Sequence, residues 1–127
     1  MILYLAADLL WATKIKGAAE ALGLPCRPVR TLDMLEARLR ERTPGAPIAA
    51  LLLDLEKPEE ALAMIGRLRG PGASADDRRI RLLAFGPHVL KDLFQQARDA
   101  GADEVLARGA LDRNMDDVLL GLAGRAG

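Results

Sequence analysis

Between Ile48 and Leu53 the chain runs through six consecutive apolar residues and then stops at Asp54. A strand with one wet face alternates apolar and polar side chains. A run with no polar position needs cover on both faces, which a parallel sheet between helices provides. Four more short runs fit strands: Ile2–Ala7, Cys26–Arg30, Ile80–Phe85 and Glu104–Ala107. The second contains Pro28, which cannot donate to a ladder, so it is expected at a sheet edge.

Helical periodicity fills the intervals. The first helix spans about Leu10–Leu22, with Ile15, Ala18, Ala19 and Leu22 on one face and Gly23 as its stop. The second follows Thr31, a suitable N-cap, and turns Leu32, Leu35 and Leu39 inward. The third carries Pro58 near its first turn, then Glu59 and Glu60, which complement the helix dipole; Gly70 ends it. The fourth holds Leu90, Leu93, Phe94 and Ala97 before Gly101. The fifth starts near Asp112 and buries Met115, Val118, Leu119 and Leu122. Gly70–Arg79, GPGASADDRR, reads as a solvated polar linker.

Five strands alternating with five helices imply a doubly wound α/β sheet with right-handed crossovers. An edge second strand fits the flavodoxin-like order 2-1-3-4-5. At 127 residues the chain makes one domain, expected over residues 1–122 with a flexible tail at 123–127. No run approaches the roughly 18–20 apolar residues of a membrane span. MILYLAAD has no basic leader and meets Asp8 at once, so it reads as a strand and the chain as cytoplasmic. Zero formal net charge and 3% aromatics argue against nucleic acid as a partner. One cysteine, Cys26, and one histidine, His88, exclude an internal disulfide, a multi-Cys zinc site and a Ser–His–Asp or Cys–His catalytic set. A G-x-G-x-x-G loop is absent, as are a Ser/Thr-rich phosphate loop after the first strand and an Asp-x-His cobalamin loop.

Open α/β sheets place their chemistry at the carboxyl ends of the strands. That edge should gather Asp8 after the first strand, Asp54 at the end of the third, Phe85-Gly86-Pro87-His88 after the fourth and Arg108 after the fifth. Each has a simpler reading: Asp54 as an ordinary strand-end residue, Asp8 as the N-cap of the first helix, Arg108 as a solvated cation, His88 as a surface residue. Trp11 reads as half-buried packing in the first helical turn, and Cys26 as inert.

With these residues in place, the chain resembles the receiver domain of two-component response regulators over nearly its whole length. ILYLAAD matches the first strand, LLLDLEKP the acceptor strand and loop, LLAFG the fourth strand and AGADEVLARGAL the fifth. The resemblance implies Asp54 as the phospho-acceptor position. It also implies an acidic pair, a hydroxyl and a lysine around it, and here the sequence departs. Ala6 and Ala7 stand where the pair would hold a divalent cation. Ala84, Phe85 and Gly86 cover the hydroxyl position. Arg108 replaces the lysine, and Gly109 the proline after it.

Phosphoryl transfer depends on positioning and on stabilising a charged transition state. Mg²⁺ is usually held by one or two carboxylates plus phosphate. Without the acidic pair, Asp54 is expected to pair with Arg108, whose planar fork suits a carboxylate, or to be hydrogen-bonded locally. The first reading is therefore a degenerate receiver, or pseudo-receiver, with no cofactor, no enzymatic activity and a role in protein–protein recognition. In the family, the face of the fourth helix, fifth strand and fifth helix commonly binds partners or forms homodimers. Here that face carries Lys91, Gln95, Arg98, Arg108, Arg113 and Asp117. The second reading is an atypical acceptor in which Asp8, Asp54 and water hold Mg²⁺. The third is a small-molecule or enzyme module on the same fold.

Overall fold

A computed structural model describes residues 1–41 and 47–124. The elements follow one another as β1 (Ile2–Leu5), α1 (Leu9–Ala21), β2 (Cys26–Pro28), α2 (Leu32–Glu41), β3 (Ala50–Asp54), α3 (Pro58–Arg69), α4 (Ala75–Arg79), β4 (Arg81–Gly86), α5 (Lys91–Ala100), β5 (Glu104–Ala107), α6 (Arg108–Arg113) and α7 (Met115–Leu122). All strand pairs are parallel, in the order β2-β1-β3-β4-β5. This is the doubly wound, flavodoxin-like α/β sheet expected from the sequence, with the proline-bearing strand at one edge.

The uninterrupted apolar strands divide between two cores by the two-residue period of a pleated strand. Leu3, Leu5, Leu51, Leu53, Leu82 and Ala84 join the buried residues of α2, α3 and α5 on one face. Ile2, Tyr4, Ala50, Leu52, Leu83 and Phe85 join those of α1, α6 and α7 on the other. Each face removes a set of branched side chains from water, which is why neither register of β3 tolerates a polar residue before Asp54.

Caps set the helix ends. Asp8 accepts the Trp11 N–H at 2.9 Å and starts α1. Thr31 Oγ1 accepts the Met34 N–H at 3.1 Å at the start of α2. Pro58 sits in the first turn of α3. Gly101 closes α5 with φ +119°, and a Cβ there would lie 2.7 Å from Arg69 Cγ, so both backbone and space require glycine.

Two sequence expectations are corrected. The linker Gly70–Arg79 folds over half its length into α4, which Ser74 and Asp77 close as a reciprocal capping box. Asp77 is only 4% exposed, and Arg67 on α3 binds both it, at 2.7 Å, and Glu36 on α2. Burial works against the Asp77 carboxylate, but the Arg67 and Ser74 hydrogen bonds outweigh it and its pKa lies below the ordinary value. The segment is thus a charged staple, invisible to a reading that equates polar residues with solvent. The fifth helix also begins earlier than Asp112: α6 starts directly at Arg108 and yields at Asn114 to α7. Residues 125–127 of the expected tail lie outside the described residues.

Candidate functional site at the carboxyl edge of the sheet

Asp54 is the last residue of β3 and is fully buried. Its carboxylate is held by the backbone on both sides. The Ala7 N–H donates to Oδ2 at 2.9 Å, and the Glu56 N–H donates to Oδ1 at 2.9 Å. Adjacent parallel strands force this: Leu5 pairs with Leu53, so the chain leaving β1 passes beside Asp54. Burial raises the Asp54 pKa above its ordinary 3.8, opposed by the two N–H bonds and by the charge of Arg108.

Its carboxyl is therefore expected to titrate above the ordinary range in the folded protein, readable by carbon NMR of the side chain. Between 3.8 and the raised value the folded state holds a proton that the unfolded chain has released. The contribution of Asp54 to stability accordingly falls as pH rises through that window. Asp54→Ala should abolish this component of the stability profile. A midpoint below 3.8 would mean that the N–H bonds and Arg108 outweigh burial.

Arg108 takes the second of the two arrangements left open for Asp54: the carboxylate is bonded locally, and the guanidinium pairs elsewhere. Arg108 Nη2 lies 3.0 Å from Glu56 Oε1, an ion pair whose angle misses hydrogen-bond alignment. The guanidinium carbon stands 5.3 Å from the centre of the Trp11 ring, and Lys14 Nζ lies 5.0 Å from it. Trp11 itself packs against Phe85, with ring centres 5.3 Å apart and tilted by 45°. Trp11 is 4% exposed, so the half-buried expectation is corrected. The cause is tertiary: α1, β4 and α6 converge there, and Arg108 and Lys14 close over the ring. Sequence spacing gave no signal that Trp11 would meet Phe85 or Arg108.

Ala6 and Ala7 are half-buried and contribute methyl groups. Ala84 and Phe85 are buried in opposite cores, and Gly86 follows them at the end of β4. His88 is exposed before α5. Cys26 is half-buried on the edge strand, and burial pushes its thiol up to about 11, which suppresses thiolate reactivity.

The receiver resemblance implies a magnesium ion here, and the side chains of Ala6 and Ala7 supply no oxygen ligand for one. Mg²⁺ needs near-octahedral oxygen ligation. Asp8 is committed to the cap of α1 and Glu56 faces Arg108. No group of three or more His, Cys, Asp or Glu able to hold a metal occurs among the described residues.

The residues expected on the interaction face lie on the helices either side of β5. Lys91, Gln95 and Arg98 are exposed on α5, over one side of β5. Arg113 and Asp117 are exposed on α6 and α7, over the other. Arg108 is drawn inward to Glu56. No helix among the described residues is long and apolar enough to cross a membrane.

No protein-family model matches the chain, and no curated protein matches it. Solved structures do. The signal receiver domain of a response regulator from Bermanella marisrubri superposes with a TM-score of 0.74 at 23% identity, covering 96% of each chain. A response regulator from Thermotoga maritima gives 0.73 at 18% identity, over 97% of this chain and 96% of that one. A response regulator receiver protein from Burkholderia phymatum gives 0.71 at 17%, over 99% and 97%. Together with the strand order and the buried aspartate at the end of β3, these matches give the chain the fold of a response-regulator receiver domain.

Proposed function

We propose that this chain is a pseudo-receiver, a cytoplasmic signalling module that works by protein–protein recognition and without regular magnesium-dependent phosphorylation. The observation that carries this reading is the environment of Asp54. Both of its oxygens are bound to backbone N–H groups, and alanines flank it where cation ligands would be needed. The cation that would meet a phosphoryl group is instead engaged by Glu56 and Trp11. A carboxylate so held, with burial disfavouring its ionised form, is a poor nucleophile. The domain is non-enzymatic in this reading, requires no cofactor, and presents the surface around β5 to a protein partner or a second copy of itself.

Incubation with acetyl phosphate and Mg²⁺, followed by intact-mass measurement, tests it. The expected result is an unchanged mass. A phosphoryl adduct that disappears in Asp54→Ala would instead make the domain an atypical acceptor, with Asp8 and water completing the ion's shell.

A further inference from the structure

Far from Asp54, at the amino-terminal end of β5, an open groove of about 350 Å³ lies between β4, β5 and α7. Its floor is apolar: Leu83, Val118 and Leu122. Its rim carries the carboxylates of Glu104 and Asp117, both exposed. Neither makes a hydrogen bond or ion pair among the described residues. The other charged groups here are already committed. Asp103 is bound by Arg69 at 2.9 Å and accepts the Leu82 N–H at 2.8 Å. Arg81 donates to the Gly121 carbonyl. With Arg69 offsetting Asp103, and Arg81 offsetting one carboxylate, the groove keeps an excess of negative charge. Among the described residues β5 is also the sheet's edge.

We propose that this groove docks a segment of a partner protein in which a lysine or arginine is flanked by an apolar side chain. The apolar neighbour would cover Leu83, Val118 and Leu122, and the cation would reach between Glu104 and Asp117. Long basic side chains suit such a place because their methylene stems pack on apolar surface while the charged head stays at the rim. Charge complementarity selects the basic partner and the apolar floor selects its neighbour. This assignment rests on the proposed recognition role and gives that role a site and a ligand chemistry. It does not involve Asp54, which lies at the opposite edge of the sheet.

The test uses the full chain, labelled for nitrogen NMR, and two acetylated, amidated pentapeptides: Ala-Leu-Arg-Leu-Ala and its counterpart with glutamate replacing arginine. The arginine peptide is expected to shift the amides of Glu104, Asp117, Val118 and Gly121 in a saturable way, and the glutamate peptide to shift none of them. Glu104→Gln with Asp117→Asn should weaken binding about tenfold while leaving the remaining spectrum in place, and added salt should weaken the native chain's binding. Absence of saturable shifts, shifts spread over other surfaces, or binding unchanged in the double variant would overturn the assignment. So would a dimer of the free chain, seen by sedimentation and dissolved by the same two substitutions, since a second copy would then occupy the groove. The phosphodonor experiment reads Asp54 separately, so failure at one edge is distinguishable from failure at the other.

Discussion

Trp11→Ala is expected to lower the unfolding free energy by about 3–5 kcal/mol, the usual cost of deleting a large buried aromatic. Three losses coincide at this position. The indole is 4% exposed, so its removal leaves a cavity against Phe85. The ring contact with Phe85 disappears, and so does the surface over which Lys14 and Arg108 hold their charges. Arg108 then keeps its ion pair with Glu56, which is of poor alignment, and its longer-range attraction to Asp54. Domains of this size are typically stable by about 5–15 kcal/mol, so the variant should be marginal at physiological temperature. Urea denaturation followed by far-ultraviolet circular dichroism measures the change. Trp11→Phe should recover more than half of it, because a phenyl ring still reaches Phe85. A loss below about 1 kcal/mol would show that the first turn of α1 relaxes around the gap.

The second large effect is a gain. The double variant Ala6→Asp, Ala7→Asp is expected to give the edge around Asp54 a saturable Mg²⁺ affinity that the native chain is expected to lack. The backbone already carries the geometry. Ala7 keeps its N–H on Asp54 whatever its side chain, and both alanines stand directly past β1. Two added carboxylates beside Asp54 repel one another when no cation is present, so the metal-free variant should melt lower than the native chain. Millimolar Mg²⁺ should restore its melting temperature through linkage, while the native chain's should not move. Adding Gly86→Thr and Arg108→Lys completes the pattern that the receiver resemblance implies. A Cβ at Gly86 would meet Leu55 at 3.4 Å and Leu90 and Phe94 at 3.6 Å, so the hydroxyl can be introduced with small adjustments. This fourfold variant should then accept a phosphoryl group from acetyl phosphate at Asp54. If the double variant binds no metal, the alanines are not what keeps the cation away, and the account of the degenerate site fails.

The alternation of apolar runs and helical periods was legible because burial on both sheet faces leaves a direct mark on composition. Leu51, Leu52 and Leu53 are apolar whichever core they enter, and that alone requires helices above and below. Pro28 marked the edge strand through its missing donor, and Asp8, Thr31 and Gly101 marked helix ends through local chemistry. The linker Gly70–Arg79 misled for the complementary reason. Asp77 and Arg67 are polar in sequence, but each satisfies the other inside the fold, and no local pattern announces a pair ten residues apart on different helices. The same holds for Arg108. Its fork suits Asp54 or Glu56 equally well as chemistry, and the choice depends on where the chain leaving β1 lays down its N–H groups.

By itself the amino-acid order determined the parallel α/β sheet, its strand sequence and the alanines, Ala6 and Ala7, beside Asp54, because hydrophobic period and residue type are local properties. Only the tertiary structure decided that Ala7 and Glu56 N–H groups hold the Asp54 carboxylate, that Arg108 turns to Glu56 and Trp11, and that Glu104 and Asp117 share a groove. Those outcomes depend on which distant segments meet, and hydrogen bonds and ion pairs, being short-ranged and directional, form only after burial of the strands has brought the segments together.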